Sequence, residues 1–94
     1  MRLIEYGSAF KKDFKRVKST PNHSKNIEQL LGHVVEQLVV DSALPPHNRD
    51  HGLTGNWVGY RECHIKPDLL LIYKQTDSNT LRLARLGSHS ELFK

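Results

Sequence analysis

The run Leu69-Leu70-Leu71-Ile72-Tyr73 constrains this chain more than any other stretch, because five consecutive apolar residues leave no polar position to face water. A strand with one wet face alternates, and this one does not. With Lys74 it is bounded by Pro67-Asp68 on one side and "TDSN", 76–79, on the other. Its length and β-rich content predict a central strand over 69–74, buried on both faces and flanked on both edges. The remaining chain must supply those neighbours and covers.

Two neighbours follow from the local pattern. Trp57 to His64 predicts a strand before the Lys66-Pro67-Asp68 turn, and "LRLARL", 81–86, predicts one after the "TDSN" turn. "MRLIEY" predicts a further strand at about residues 2–6, broken by Gly7-Ser8, where Ser8 is suited to cap a helix. Phe10, Phe14 and Val17 then recur at i, i+4 and i+7 with lysines between them, an amphipathic helix ended by Pro21-Asn22. Ile27, Leu30, Leu31, Val34, Val35 and Leu38 mark a second helix, with His33 on its solvent side beside Lys25, Gln29 and Glu36. "ALPPHNRD" is a loop, since paired prolines suit neither helix nor central strand. The tail "SHSELFK" predicts one short helical turn.

The expected fold is α+β. An N-terminal strand leads into a two-helix hairpin, then a three-stranded antiparallel meander, with the helices packed on one face of the sheet. Ninety-four residues fit one domain, 1–94. The one cysteine, Cys63, excludes an intrachain disulfide and a zinc ribbon, and a reducing cytoplasm is the simplest setting. No apolar run approaches the roughly 20 residues that span a bilayer. The N-terminus lacks a signal peptide's apolar stretch and reads as the start of a strand. The formal charge of +4 favours a polyanionic partner. Lys11, Lys12, Lys15, Arg16, Lys18 and Lys25 cluster with only Asp13 among them, which suits either a solvated helix face or a nucleic-acid contact.

Chemistry concentrates in the second half. His64 and Asp68 flank Ile65-Lys66-Pro67. In a three-residue hairpin loop they form the closing pair, where Asp68 orients His64 or simply stabilises the turn. Arg85 lies near the end of the last strand and His89 just past it, level with the end of the 57–64 strand, where His64 and Asp68 sit. His51 starts at the opposite end and joins them only if "HGLTGN" folds back across the sheet, which Gly52 and Gly55 permit. Three histidines suggest metal, but no HxxxH or His-X-His pair is present to support zinc. RNA cleavage is the other use. It needs a base for a ribose 2′-OH, an acid for the departing 5′-oxygen and a cation for the phosphate, and no metal or small-molecule cofactor. Cys63 points away from His64's side of its strand and reads as a small core residue; Glu62 shares His64's parity and either tunes it or faces solvent. Trp57 either packs or stacks on RNA.

These residues carry a resemblance. The D-H-x-L-x-G approach at 50–55, G-x-W-x-G-Y-R at 55–61, H-x-x-P-D at 64–68, the LIYK strand and R-x-G-x-H-x-x-L-F at 85–93 together resemble the YafQ branch of the RelE/ParE superfamily. These are toxin components of bacterial type II toxin–antitoxin systems. The motifs cover about the last half of the chain; the first half agrees in element order. The resemblance implies a RelE-like β-α-α-β-β-β fold and a ribosome-dependent endoribonuclease that cuts mRNA in the A site and leaves a cyclic phosphate. It implies catalytic positions at His51, His64, Asp68 and His89, a phosphate-contacting Arg85 and a nucleic-acid-contacting Phe93. His89 is the expected acid; the base remains open among His51, His64 and Asp68. A DinJ/RelB-like antitoxin, the ribosome and mRNA are the implied partners, and Lys11, Lys12, Lys15, Arg16 and Lys18 suit rRNA or an acidic antitoxin segment. Two departures stand out: Glu62 occupies a position where the branch often has aspartate, and Cys63 is not one of its signatures.

Two other functions share the fold. A ParE-like toxin acting on gyrase has no need of this histidine set. A non-catalytic module binding only RNA or antitoxin predicts that His64→Ala and His89→Ala leave toxicity intact.

Overall fold

In the computed structural model, which describes residues 1–77 and 79–93, the apolar run is the middle of a five-stranded sheet. The strands are β1 (Leu3–Tyr6), β2 (His51–Gly52), β3 (Arg61–Lys66), β4 (Leu69–Gln75) and β5 (Thr80–Gly87), in the order β1-β5-β4-β3-β2. The β2 to β5 pairings are antiparallel, and β1 lies parallel to β5. Leu69, Leu70, Leu71, Ile72 and Tyr73 are each at most 2% exposed, so β4 is covered on both faces, as its unbroken apolarity requires.

The helices are α1 (Ser8–Lys18), α2 (Pro21–Ser24), α3 (Ile27–Val39) and α4 (His89–Leu92). Phe10 and Val17 of α1 join Ile27, Leu31, Val34, Val35 and Leu38 of α3 over Cys63, Leu71, Leu83 and Leu86 to form the main core. Between α1 and α3 runs a groove of about 420 Å³, lined mainly by Phe10, Phe14, Leu31 and Val35. Leu70, Ile72 and Leu92 form a second cluster on the other face, under Leu53, Trp57, Tyr60 and Phe93. The tail helix α4 therefore packs opposite the other helices.

Several local expectations change. Leu30 is 40% exposed and stands outside the buried stripe, whereas His33 is exposed as its position on the wheel requires. Gly7, and not Ser8, is the N-cap of α1. Its N–H donates to the Leu83 carbonyl, and a Cβ there would lie 3.0 Å from that oxygen, so glycine lets the chain turn close against β5. α1 ends at Lys18 with Ser19 as its C-cap, ahead of Pro21-Asn22, and Pro21 instead opens α2, whose first position tolerates a missing N–H. The strand expected from Trp57 begins at Arg61. Gly55 and Gly59 have φ of 65° and 90°, so residues 55–57 form a 3₁₀ turn instead. The "TDSN" turn includes Ser78, which lies outside the described residues.

Candidate active site

The site begins with sheet register. His51 pairs with Glu62, Glu62 with Ile72 and Ile72 with Arg85, one row across four strands. His64 pairs with Leu70 and Leu70 with Gly87 in a parallel row two residues on. Paired residues project from the same face, so Glu62 and His64 lie on the side of Leu70 and Ile72, away from α1 and α3. The loop does bring His51 to this group. Leu53 N–H donates to the Tyr60 carbonyl, and residues 53–60 return the chain from β2 into β3 as a hairpin.

Glu62 is 5% exposed and stands between two imidazoles. One oxygen, Oε1, is 3.5 Å from His51 Nε2 and 3.8 Å from His64 Nε2. The opposite nitrogens face carbonyls: His51 Nδ1 is 2.8 Å from Arg49 O, and His64 Nδ1 is 3.2 Å from Pro67 O. A carbonyl only accepts, so each Nδ1 is the donor. Each ring thus faces Glu62 through Nε2.

The backbone carrying His51 and His64 is itself tied down. Asn48, 4% exposed, donates to the His64 carbonyl at 2.8 Å. Asp50 accepts from Tyr73 Oη at 2.5 Å and from Arg61 Nε and Nη2 at 3.3 and 3.2 Å. Burial, and then the bond to Asp50, push the Tyr73 phenol upward in pKa, and Asp50 raises that of Arg61. A hollow of about 380 Å³ beside His64 is lined by His47, Arg49, Ile65, Lys66 and Pro67.

Asp68 is not His64's closing partner. Ile65 is an extra residue in β3, so Lys66 pairs with Leu69 and the loop is only Pro67-Asp68. Asp68 is exposed in that turn, and His64 takes the Pro67 carbonyl in place of a carboxylate. Cys63 is fully buried, and burial pushes its thiol upward in pKa.

At the other side of the site, Ser88 and Glu91 form a capping box on α4. His89 is exposed at the start of this helix, with its ring 5.0 Å from that of Phe93. Trp57 meets Tyr60 edge to face at 5.2 Å and packs on the Leu70–Ile72 cluster. Arg85 is 28% exposed and hydrogen-bonds Asp13 through Nε and Nη2 at 2.6 and 3.3 Å. Lys11, Lys12, Lys15 and Lys18 are exposed, Lys18 lying 3.1 Å from Glu28. Arg16 turns inward to Asp13, Glu91 and the Leu86 carbonyl. Asp13, Asp50, Asn48 and Glu91 were not singled out by sequence. Asp13 carried a signal, because it lies on the apolar stripe of Phe10, Phe14 and Val17, and so did Glu91, which follows Ser88 at the spacing of a capping box.

The mRNA interferase toxin YafQ of Escherichia coli K12 is 37% identical over 92 residues, covering 98% of this chain and 96% of that one. The crystallised E. coli DinJ–YafQ complex matches with a TM-score of 0.85 and 38% identity, covering 100% of both chains. A copper-bound mutant toxin from Helicobacter pylori matches with a TM-score of 0.89 and 41% identity, over 99% of this chain and 100% of that one. Among the described residues here, no group of three or more His, Cys, Asp or Glu is placed to hold a metal ion. The family model for YafQ, the bacterial toxin of type II toxin–antitoxin systems, matches residues 2–94. With the register that gathers His51, Glu62, His64 and Arg85 and the match running from one end to the other, the chain belongs to the YafQ family of type II toxins.

Proposed function

We propose that this toxin is an mRNA interferase, a ribosome-dependent endoribonuclease that cuts message in the A site by acid–base catalysis. The observation that carries the reading is Glu62 Oε1 between His51 Nε2 and His64 Nε2, on a sheet whose strand β5 carries Arg85 near its end and leads into α4, which begins at His89. An imidazole Nε2 of this pair removes the 2′-OH proton. The resulting 2′-oxygen attacks phosphorus, the bond to the 5′-oxygen breaks, and His89 gives that oxygen a proton. The products are a 2′,3′-cyclic phosphate and a 5′-OH. Arg85 supplies positive charge to the phosphate oxygens, and Asp68 lies at the rim in the turn beside His64. Each proton-transfer group contributes roughly 10²–10⁴ in rate. The steps use no metal and no small-molecule cofactor.

Phe93 and Trp57 are offered as stacking surfaces for the message, and the α1 lysines as contacts for rRNA phosphates. The natural partner is a DinJ/RelB-like antitoxin, a reading supported by the solved E. coli complex. Cytoplasmic action follows from a ribosomal target; no helix among the described residues is long and apolar enough to cross a membrane.

The test is inducible expression with mapping of mRNA 5′ ends. Cuts at a fixed position within codons, present only in translated messages and absent in His89→Ala, are expected. Growth arrest without such cuts, or arrest that persists in His89→Ala, overturns the reading and favours a gyrase-directed or purely binding toxin.

A further inference from the structure

β1 stops at Tyr6, opposite Leu83, while β5 runs on to Gly87. Two side chains of α1 serve that last stretch in place of a strand. Leu86 N–H donates to Asp13 Oδ2 at 3.0 Å, and Arg16 Nη2 donates to the Leu86 carbonyl at 2.9 Å. Ala84 is an extra residue in β5, since Arg85 pairs with Ile72 and Leu83 with Tyr73. Such a bulge re-aims its side chains. Here Arg85 reaches Asp13 from α1.

The contacts continue as a chain of charges. Arg16 Nη1 donates to Asp13 Oδ1 at 2.8 Å, and Arg16 Nε is 3.1 Å from Glu91 Oε2. Glu91 Oε1 accepts from Ser88 N–H at 2.8 Å, closing the cap of α4. Gly87 leaves the space for this. A Cβ there would lie 2.8 Å from Arg16 Nη2 and 3.0 Å from Glu91 Oε1.

We propose that Asp13, Arg16 and Glu91 are positioning residues for the cleavage reaction, holding the Arg85 guanidinium and the helix that carries His89. The proposal rests on the endoribonuclease reading. The side chain of Asp13 is 4% exposed, and an apolar residue on the same stripe would stabilise the fold as well as a buried ion pair does. What the carboxylate adds is orientation. It grips Arg85 along the Nε–Nη2 side and leaves the Nη1–Nη2 edge for two phosphate oxygens. Arg16 ties the same carboxylate to α4, so the phosphate contact and the acid are aligned from one buried point. Burial opposes the charge on Asp13, but bonds from Arg85, Leu86 N–H and Arg16 prevail and hold its carboxyl below the usual range.

The test is a double-mutant cycle on cleavage of ribosome-bound message by the full chain. Asp13→Asn is expected to lower kcat by about 10²-fold with KM little changed. In an Arg85→Ala background the same change should cost much less, about tenfold or under, the part exerted through Arg16 and α4. Asp13→Glu should recover part of the loss. Equal loss in both backgrounds, or loss of folded protein alone, overturns the proposal. Arg16→Met, which keeps the buried carboxylate and Arg85, supplies a second variant with an expected loss of about tenfold and unchanged antitoxin binding. The Arg85 Nε–H proton resonance gives an activity-independent readout. Slow exchange in the parent protein and fast exchange in Asp13→Asn support positioning, and identical exchange overturns it. A parent protein that cuts nothing while retaining the protected Arg85 signal defeats the nuclease reading alone.

Discussion

Tyr73, buried in the central strand, donates its hydroxyl to Asp50 at 2.5 Å, and Asp50 is the residue immediately before His51. The core and the edge of the site are joined through that bond. Tyr73→Phe keeps the ring and removes only the hydroxyl. Among the described residues, Asp50 is then held by Arg61. The expected cost is about 1 kcal/mol in stability, seen in denaturant melts. Cleavage should fall by up to about tenfold, because the anchor of His51 loosens.

Acid sensitivity follows from Asp13 and Glu91, whose carboxyls are both held below their ordinary values of 3.8 and 4.5. For Asp13 burial works the other way, and its three donors outweigh it; for Glu91 the leading cause is the Ser88 N–H. A depressed folded-state value means that the unfolded chain takes up protons first. The stability contributed is present above the ordinary values and is lost as pH falls through the folded ones. Unfolding midpoints measured from about pH 6 down to pH 3 should therefore drop steeply at the acid end. Asp13→Asn should flatten that drop. An unchanged slope in the variant would remove Asp13 from the cause.

Glu62 is the residue whose role changes most. Glu62→Gln preserves volume but replaces the oxygen charge that faces both Nε2 atoms. If Glu62 aligns the imidazole pair, kcat should fall by about 10²-fold while the melt and antitoxin binding hold. His51→Ala and His64→Ala, assayed beside it, separate the partner that matters. The one whose loss makes Glu62→Gln silent is the ring through which Glu62 acts.

The legible parts of this protein were the ones set by long apolar patterns. Leu69–Tyr73 announced a doubly covered strand, and Ile27–Leu38 announced α3, because burial repeats over many residues and one exception such as Leu30 does not erase it. The candidate site was legible as residue types near one sheet end but not as contacts. One extra residue at Ile65 turned a three-residue loop into a two-residue one and separated Asp68 from His64. Nothing in "HIKPD" distinguishes the two. His51 reached Glu62 through a two-residue strand, too short to leave a pattern. Asp13 was different. Its place on a hydrophobic stripe signals a buried carboxylate in need of cations, but the lysines beside it hide that Arg16 and the distant Arg85 are the ones it meets.

That contrast separates the basic residues of α1 into two groups with different salt behaviour. Lys11, Lys12 and Lys15 are exposed, whereas Arg16 is committed to Asp13, Glu91 and Leu86. If the three lysines meet rRNA phosphates, each releases counterions on binding. The triple Lys→Gln variant should then reduce the slope of log K against log salt for ribosome binding by about 2–3, with the melt unchanged. Arg16→Gln should leave that slope as it is and lower cleavage of message already bound. A shallower slope in Arg16→Gln would place Arg16 among the phosphate contacts, and an unchanged slope in the triple variant would move the ribosome-facing surface away from α1.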